Sequence, residues 1–291
     1  MPLMGTDQAR AGALMALGSM VCIQLGLAIA VTLIEQIGVE GAAWLRLAWA
    51  GVLFLLILRP RREAFTRTSF LMCVLLGIVT AAITLLFMAA LAHIPLGTAS
   101  ALEFLGPLGV AVARGRGRAR FVWPGLAAVG VLLLTQPWSG EVDPVGVGFA
   151  LGAAVCWAGY ILLTQKVGDQ VAGINGLAVS MPVAGLVATL TVGPAVFDRM
   201  TPQILLIGIG LAVLLPVVPF ALELVALRRL TAAAFGTLMA LEPAFAMLLG
   251  LLILHQVPGL PGVVGIAFVV AAGAGAARTG ARTPPVPLEV G

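Results

Sequence analysis

The chain has 291 residues, 61% hydrophobic and only 10% charged, with a mean hydropathy of +1.12 and a net charge of +4. Soluble domains run nearer half apolar and a quarter charged, which excludes a water-soluble globule, a disordered chain and a nucleic-acid module. The basic residues behind the pI of about 9.6 are sparse and sit in short connections, so the basicity reads as membrane topology rather than a polyanion-binding surface.

A bilayer-spanning helix takes about 20 apolar residues, and ten stretches qualify in chain order. The first five are 11–34, 39–58, 70–91, 95–113 and 121–136; the second five are 144–164, 173–192, 203–227, 230–254 and 257–277. Lipid tolerates only helices or closed barrels, and runs this long without period-2 alternation predict helices. The first stretch exceeds a signal-peptide core, so Ala28-Ile29-Ala30 is read as helix rather than as a cleavage site. The expected fold is an all-α integral membrane protein with ten transmembrane helices. Residues 1–138 form a first five-helix unit, 139–277 a second, and the Pro-rich 278–291 a disordered cytoplasmic tail.

Charge sets the orientation. With the N-terminus in the cytoplasm, the inner segments hold Arg10, Arg59, Arg61, Arg62, Arg67, Arg114, Arg116, Arg118, Arg120, Lys166, Arg228, Arg229, Arg278 and Arg282. That is 14 of the 16 basic residues, which satisfies the positive-inside rule and supports an even number of spans with both termini cytoplasmic. The outer loops keep Arg199, and Arg46 lies inside a span. Cys22, Cys73 and Cys156 fall within spans and read as small buried apolar residues. His93, in an outer turn, and His255, at an outer helix end, read as interfacial polar groups. Without a CxxC spacing or a His/Cys cluster, no metal or cofactor is expected.

A shift of 136 residues brings Ala90, Leu91, Leu102, Leu105 and Pro107 onto Ala226, Leu227, Leu238, Leu241 and Pro243. Five spans separate the halves, so the second half enters the membrane upside down. Such 5+5 inverted repeats characterise alternating-access transporters, whose halves rock about a site near the midplane.

Ionisable groups in hydrocarbon cost several kcal/mol or more and need a reason to be there. Gln24 lies near the middle of the first span, Arg46 in the second between Trp44 and Trp49, Glu103 in the fourth and Glu242 in the ninth. Trp157 and Tyr160 share a face of the sixth span. Glu223, near the inner end of the eighth span, is placed to snorkel toward Arg228 or Arg229. A guanidinium and a carboxylate at one depth suit the two ends of a zwitterion. Arg46 would take an α-carboxylate, and Glu103 or Glu242 an α-ammonium. The simpler alternative is an ion pair from Arg46 to one of these acids that pins helices together. One cation cannot neutralise both deep carboxylates, which makes Glu242 and Glu103 the proton-coupling candidates.

The segment Ile94-Pro-Leu-Gly-Thr-Ala-Ser-Ala-Leu-Glu-Phe-Leu-Gly-Pro-Leu108 resembles a signature of EamA-type members of the drug/metabolite transporter superfamily, in particular the threonine/homoserine exporter branch. Phe235-Gly-Thr-Leu-Met-Ala-Leu-Glu-Pro243 resembles a second signature of that branch, and Ile23-Gln24, Leu45-Arg-Leu-Ala48 and Ala154-Val-Cys-Trp-Ala-Gly-Tyr-Ile161 match in order and spacing. The resemblance implies residence in a bacterial inner membrane and export of amino acids or related metabolites. Such proteins often carry Gly-Glu at the outer end of the ninth helix, where this chain has Leu254-His255. Cationic drugs or aromatic compounds are the alternative cargo, and a downhill uniporter the alternative mechanism. An intramembrane enzyme is disfavoured: paired aspartates, a Gly-x-Ser-Gly nucleophile and HExxH are all missing. The expected partners are an amino-acid substrate and the bilayer, with no nucleic acid, and the protein reads as a monomer.

Overall fold

A single glycine interrupts the first 57 helical residues. Helix α1 runs Pro2–Leu58 and breaks at Gly38, whose φ of 76° and ψ of 168° only a residue without Cβ adopts cheaply. The expected loop at 35–38 is therefore a one-residue corner between two helical arms, with Glu35, Gln36 and Ile37 still helical. The computed structural model describes residues 2–60, 62–136, 138, 143–242, 244, 245, 248 and 259–279. Expectations for Pro243, Leu254-His255 and the tail beyond 279 fall outside these residues.

The remaining helices are α2 (Arg67–Leu91), α3 (Leu96–Glu103), α4 (Leu105–Arg114), α5 (Ala119–Thr135), α6 (Pro144–Gln170), α7 (Leu177–Thr191), the short α8 (Gly193–Val196), α9 (Pro202–Ala212), α10 (Val218–Arg229), α11 (Ala232–Leu238) and α12 (Leu260–Thr279). All regular elements among the described residues are helical, without a β-strand. Asp7–Leu27, Leu33–Leu58, Arg67–Leu91, Pro144–Gln170 and Pro202–Arg229 are long and apolar enough to cross a membrane. Leu177–Thr191 and Gly193–Arg199, bent by 64°, make a sixth if counted as one span. Arg120–Thr135, Ala232–Leu241 and Leu260–Ala276 are apolar but shorter. The sixth stretch extends beyond its expected end at 164 to Gln170, carrying Lys166 and Asp169 on the last turns.

Helix starts follow local chemistry. Thr66 caps α2 in a reciprocal pair with Ser69, and the Thr201 and Thr231 side chains cap α9 and α11. Asp143 caps α6, with Pro144 in the first turn, where its missing N–H costs nothing. Prolines cause the breaks. Pro107 cannot donate to the Glu103 carbonyl four residues earlier, and the helix divides into α3 and α4 at that point. Pro216 sits in a π-helical turn, Val213–Val217, between α9 and α10, with a cis peptide bond before it.

The first arm of α1 packs on α10, where Gly12 and Gly18 face Leu230 and Leu222. The second arm packs on α7 and α9, with Gly185 against the Leu47 carbonyl and Gly208 against Leu45. Helix α2 lies on α6 and α7, α4 on α11, and α5 on α12. Two close approaches carry the centre: a Cβ on Gly106 would lie 2.2 Å from the Ala154 carbonyl oxygen, and one on Gly236 would lie 2.4 Å from that of Pro107. Cys73 is fully buried, but Cys22 and Cys156 are only half-buried, which corrects the expectation for those two.

At one end of the bundle, His93 Nδ1 meets Asp143 Oδ2 at 2.8 Å. The interfacial His93 thus has a carboxylate partner. The Val145 N–H and then His93 hold the Asp143 carboxyl below its ordinary value of 3.8. A carboxyl with a lowered folded-state pKa stabilises fully above its unfolded value and loses that contribution as pH falls through the folded one. Asp143→Asn should therefore lower the melting temperature in detergent at pH 7, and the gap from the parent should close below about pH 3.8. A gap that stays constant with pH would remove the ionised cap from the account.

Candidate functional site

The polar side chains singled out in the sequence gather on α1, α3, α6 and the α11 end. Gln24, on the first arm of α1, is buried, and its Nε2 donates to the Glu242 carbonyl oxygen at 3.2 Å. Glu242 follows the 3-10 turn Met239–Leu241. Pro243, as a proline, has no N–H for the Met239 carbonyl, and the Glu242 N–H takes it instead, tightening the turn. Glu103 closes α3 at the equivalent break. Both carboxylates are thus half-buried beside interrupted backbone, where helices in membranes line cavities.

Arg46 lies on the second arm of α1, half-buried, with its Nε enclosed and without a hydrogen-bond partner among the described residues. Glu103 is close enough to interact electrostatically with both Arg46 and Glu242. The guanidinium therefore keeps one enclosed, unused donor within electrostatic reach of Glu103. The neighbouring Trp44 is fixed by Nε1 donating to Thr189 Oγ1 at 3.0 Å and by an edge contact with Phe197, ring centroids 5.3 Å apart.

Trp157 and Tyr160 share the α6 face as expected but do different things. Trp157 packs on Phe104, at the α3–α4 break, with centroids 5.1 Å apart. Tyr160 is buried, its ring lies tilted against Phe220 with centroids 5.4 Å apart, and its hydroxyl donates to Glu223 Oε2 at 2.7 Å. Glu223 does not snorkel. It is 4% exposed, and Ser19 Oγ donates to its other oxygen at 2.7 Å. Arg228 is turned away, donating to the Val171 carbonyl instead. Ser19 and Glu223 are the members that local reasoning missed. The available signal was the demand that a buried carboxylate find donors, but Ser19 is 204 residues away in sequence. Glu242 and Glu223 also interact through space. The polar track thus runs from Arg46 through Glu103 and Glu242 to Glu223.

Comparison with known proteins supplies the family. A profile of the EamA-like transporter family matches residues 144–276. The threonine/homoserine exporter RhtA of Salmonella typhimurium (strain LT2) is 34% identical over 275 residues, 92% of each chain. That of Escherichia coli (strain K12) is 34% identical over 268 residues, 90% of this chain and 89% of its own. An uncharacterized transporter of Clostridium kluyveri is 27% identical over 154 residues, half of each chain. A crystal structure 15% identical in sequence superposes with a TM-score of 0.72 over 91% of this chain and 96% of that one, a likeness of fold alone. With apolar helices long enough to span a bilayer and 34% identity to these exporters over nine-tenths of its length, the chain is a membrane transporter and belongs to the EamA-like transporter family.

Proposed function

We propose that this protein exports amino acids, threonine- and homoserine-like and broader, across a bacterial inner membrane by alternating access. The observation that carries the reading is Arg46: a guanidinium with an unused enclosed donor, within electrostatic reach of Glu103, which in turn senses Glu242. A zwitterion fits between them, its carboxylate on Arg46 and its ammonium on Glu103 or Glu242, with Gln24, Trp157 and Tyr160 around it. The names of the relatives support the cargo class.

The packing supports ten helices in a 5+5 inverted repeat, with units at 1–138 and 139–277. Exchanging the halves maps the α5–α12, α4–α11 and second-arm–α7 contacts onto themselves, and the first-arm–α10 contact onto α2–α6. The positive-inside distribution supports cytoplasmic termini. In the proposed cycle a proton from the more acidic outer side neutralises Glu242, or else Glu103, and releases the substrate ammonium. On the inner side the proton departs and the next substrate restores the pair. Proton and substrate need only compete for one group.

Counterflow in proteoliposomes loaded with a mixed amino-acid pool tests this. Threonine should exchange, and a pH gradient should drive net flux that Glu242→Gln uncouples. Exchange insensitive to the gradient, and unchanged in both Glu103→Gln and Glu242→Gln, would remove proton coupling and leave a downhill uniporter. Transport of cationic or aromatic compounds without amino-acid exchange would overturn the cargo assignment.

A further inference from the structure

We infer that Glu223, held by Ser19 and Tyr160, is the gate on the cytoplasmic side of the pathway, and that the ligand replacing these hydroxyls when it opens is the substrate's primary ammonium. The inference rests on the alternating-access reading above and deepens it. Both Glu223 oxygens accept from hydroxyls at 2.7 Å, and the carboxylate is buried. The three groups come from three helices: Ser19 is on the first arm of α1, Tyr160 on α6 and Glu223 on α10. The Ser19 bond bridges the two halves of the chain, and the Tyr160 bond ties α6 to α10 within the second. Glu223 lies little more than one turn from the Arg228–Arg229 end of α10. Around it the packing is close and apolar. Ala16 and Met20 beside Ser19 are fully buried, and the Tyr160 ring lies against Phe220.

The energetics make this junction decisive. A carboxyl group deep in the protein needs partners on both oxygens, and losing either hydroxyl leaves a buried oxygen unpaired. The helices cannot part here until another donor arrives. Arg228 points one guanidinium nitrogen at the Val171 carbonyl rather than at Glu223. An ammonium carries three donors and a compensating charge, and can take over from both hydroxyls. Beyond the gate, Gln24 and Glu242 continue the same track toward Glu103 and Arg46. Glu223 is thus a first station for the cation on its way to the central site.

The test reads the gate directly. Ala16→Cys is introduced in a background without native cysteines, and labelling by a membrane-impermeant thiol reagent is followed in inside-out vesicles. Labelling should be slow in the parent. It should rise about tenfold in Ser19→Ala or Tyr160→Phe, as expected when one hydrogen bond to a charged group is lost. Adding L-threonine should accelerate labelling in the parent, and Glu223→Gln should abolish that acceleration. Unchanged labelling in Ser19→Ala and Tyr160→Phe, both folded by size-exclusion chromatography, would overturn the gate. A threonine effect that survives in Glu223→Gln would overturn the ammonium station. These readouts do not depend on net transport, so absent counterflow in the parent would count against the exporter assignment alone.

Discussion

Arg46→Ala should abolish amino-acid transport while leaving a monodisperse protein in detergent. Its Nε donor is enclosed and unused among the described residues, so the alanine variant removes no hydrogen bond from that nitrogen that holds helices together. It removes the partner of the substrate carboxylate. Leaving a buried charge unpaired costs about 3 kcal/mol or more, roughly a hundredfold in affinity. Arg46→Lys should recover only part of this, because an ammonium is a point charge and cannot present a planar pair of donors. Threonine counterflow and binding, measured beside size-exclusion profiles, separate the outcomes. Normal transport by Arg46→Ala would end the zwitterion model, and misfolding alone would assign Arg46 to helix pinning.

The second large effect is steric. Gly106 and Gly109 lie on the same helix, α4, one turn apart. A Cβ on Gly106 would sit 2.2 Å from a backbone oxygen of α6, while one on Gly109 would meet nothing within 4 Å. Gly106→Ala must push α4 away from α6, and overpacking of this kind costs roughly 1–3 kcal/mol. Gly109→Ala should be neutral, or stabilise by up to about 1 kcal/mol through the lower entropy of the unfolded chain. Thermal unfolding in detergent should therefore place Gly106→Ala below the parent and Gly109→Ala level with it or above. Equal melting temperatures would show that the α4–α6 approach yields without cost.

Long apolar runs made the helical fold legible, because lipid leaves the backbone few alternatives. Their junctions were less so. Residues 35–38 read as a loop for their polarity, yet only Gly38 leaves the helix, since one residue at positive φ turns the chain. Pro216 interrupts the eighth stretch with a π turn that hydropathy does not register. In the site, Arg46, Glu103 and Glu242 stood out because each is an ionisable group deep in an apolar run. Glu223 was misread because its near neighbours in sequence, Arg228 and Arg229, offered an easy local partner. Its actual donors, Ser19 and Tyr160, are 204 and 63 residues away. Spacing reveals partners one helical turn apart; those brought together by packing leave no local trace.

The one-residue corner at Gly38 couples two distances. At about 1.5 Å per residue, Ser19 lies roughly 28 Å from the corner along one arm and Arg46 roughly 12 Å along the other. If the elbow swings as a stiff piece, a rotation of about 10° moves Ser19 by roughly 5 Å and Arg46 by roughly 2 Å, from those same arm lengths. The corner then works as a lever with unequal arms, its long end at the hydroxyl clasp and its short end at the guanidinium. A wide stroke at the clasp is geared down to a small, firm adjustment where the cargo's carboxylate would rest.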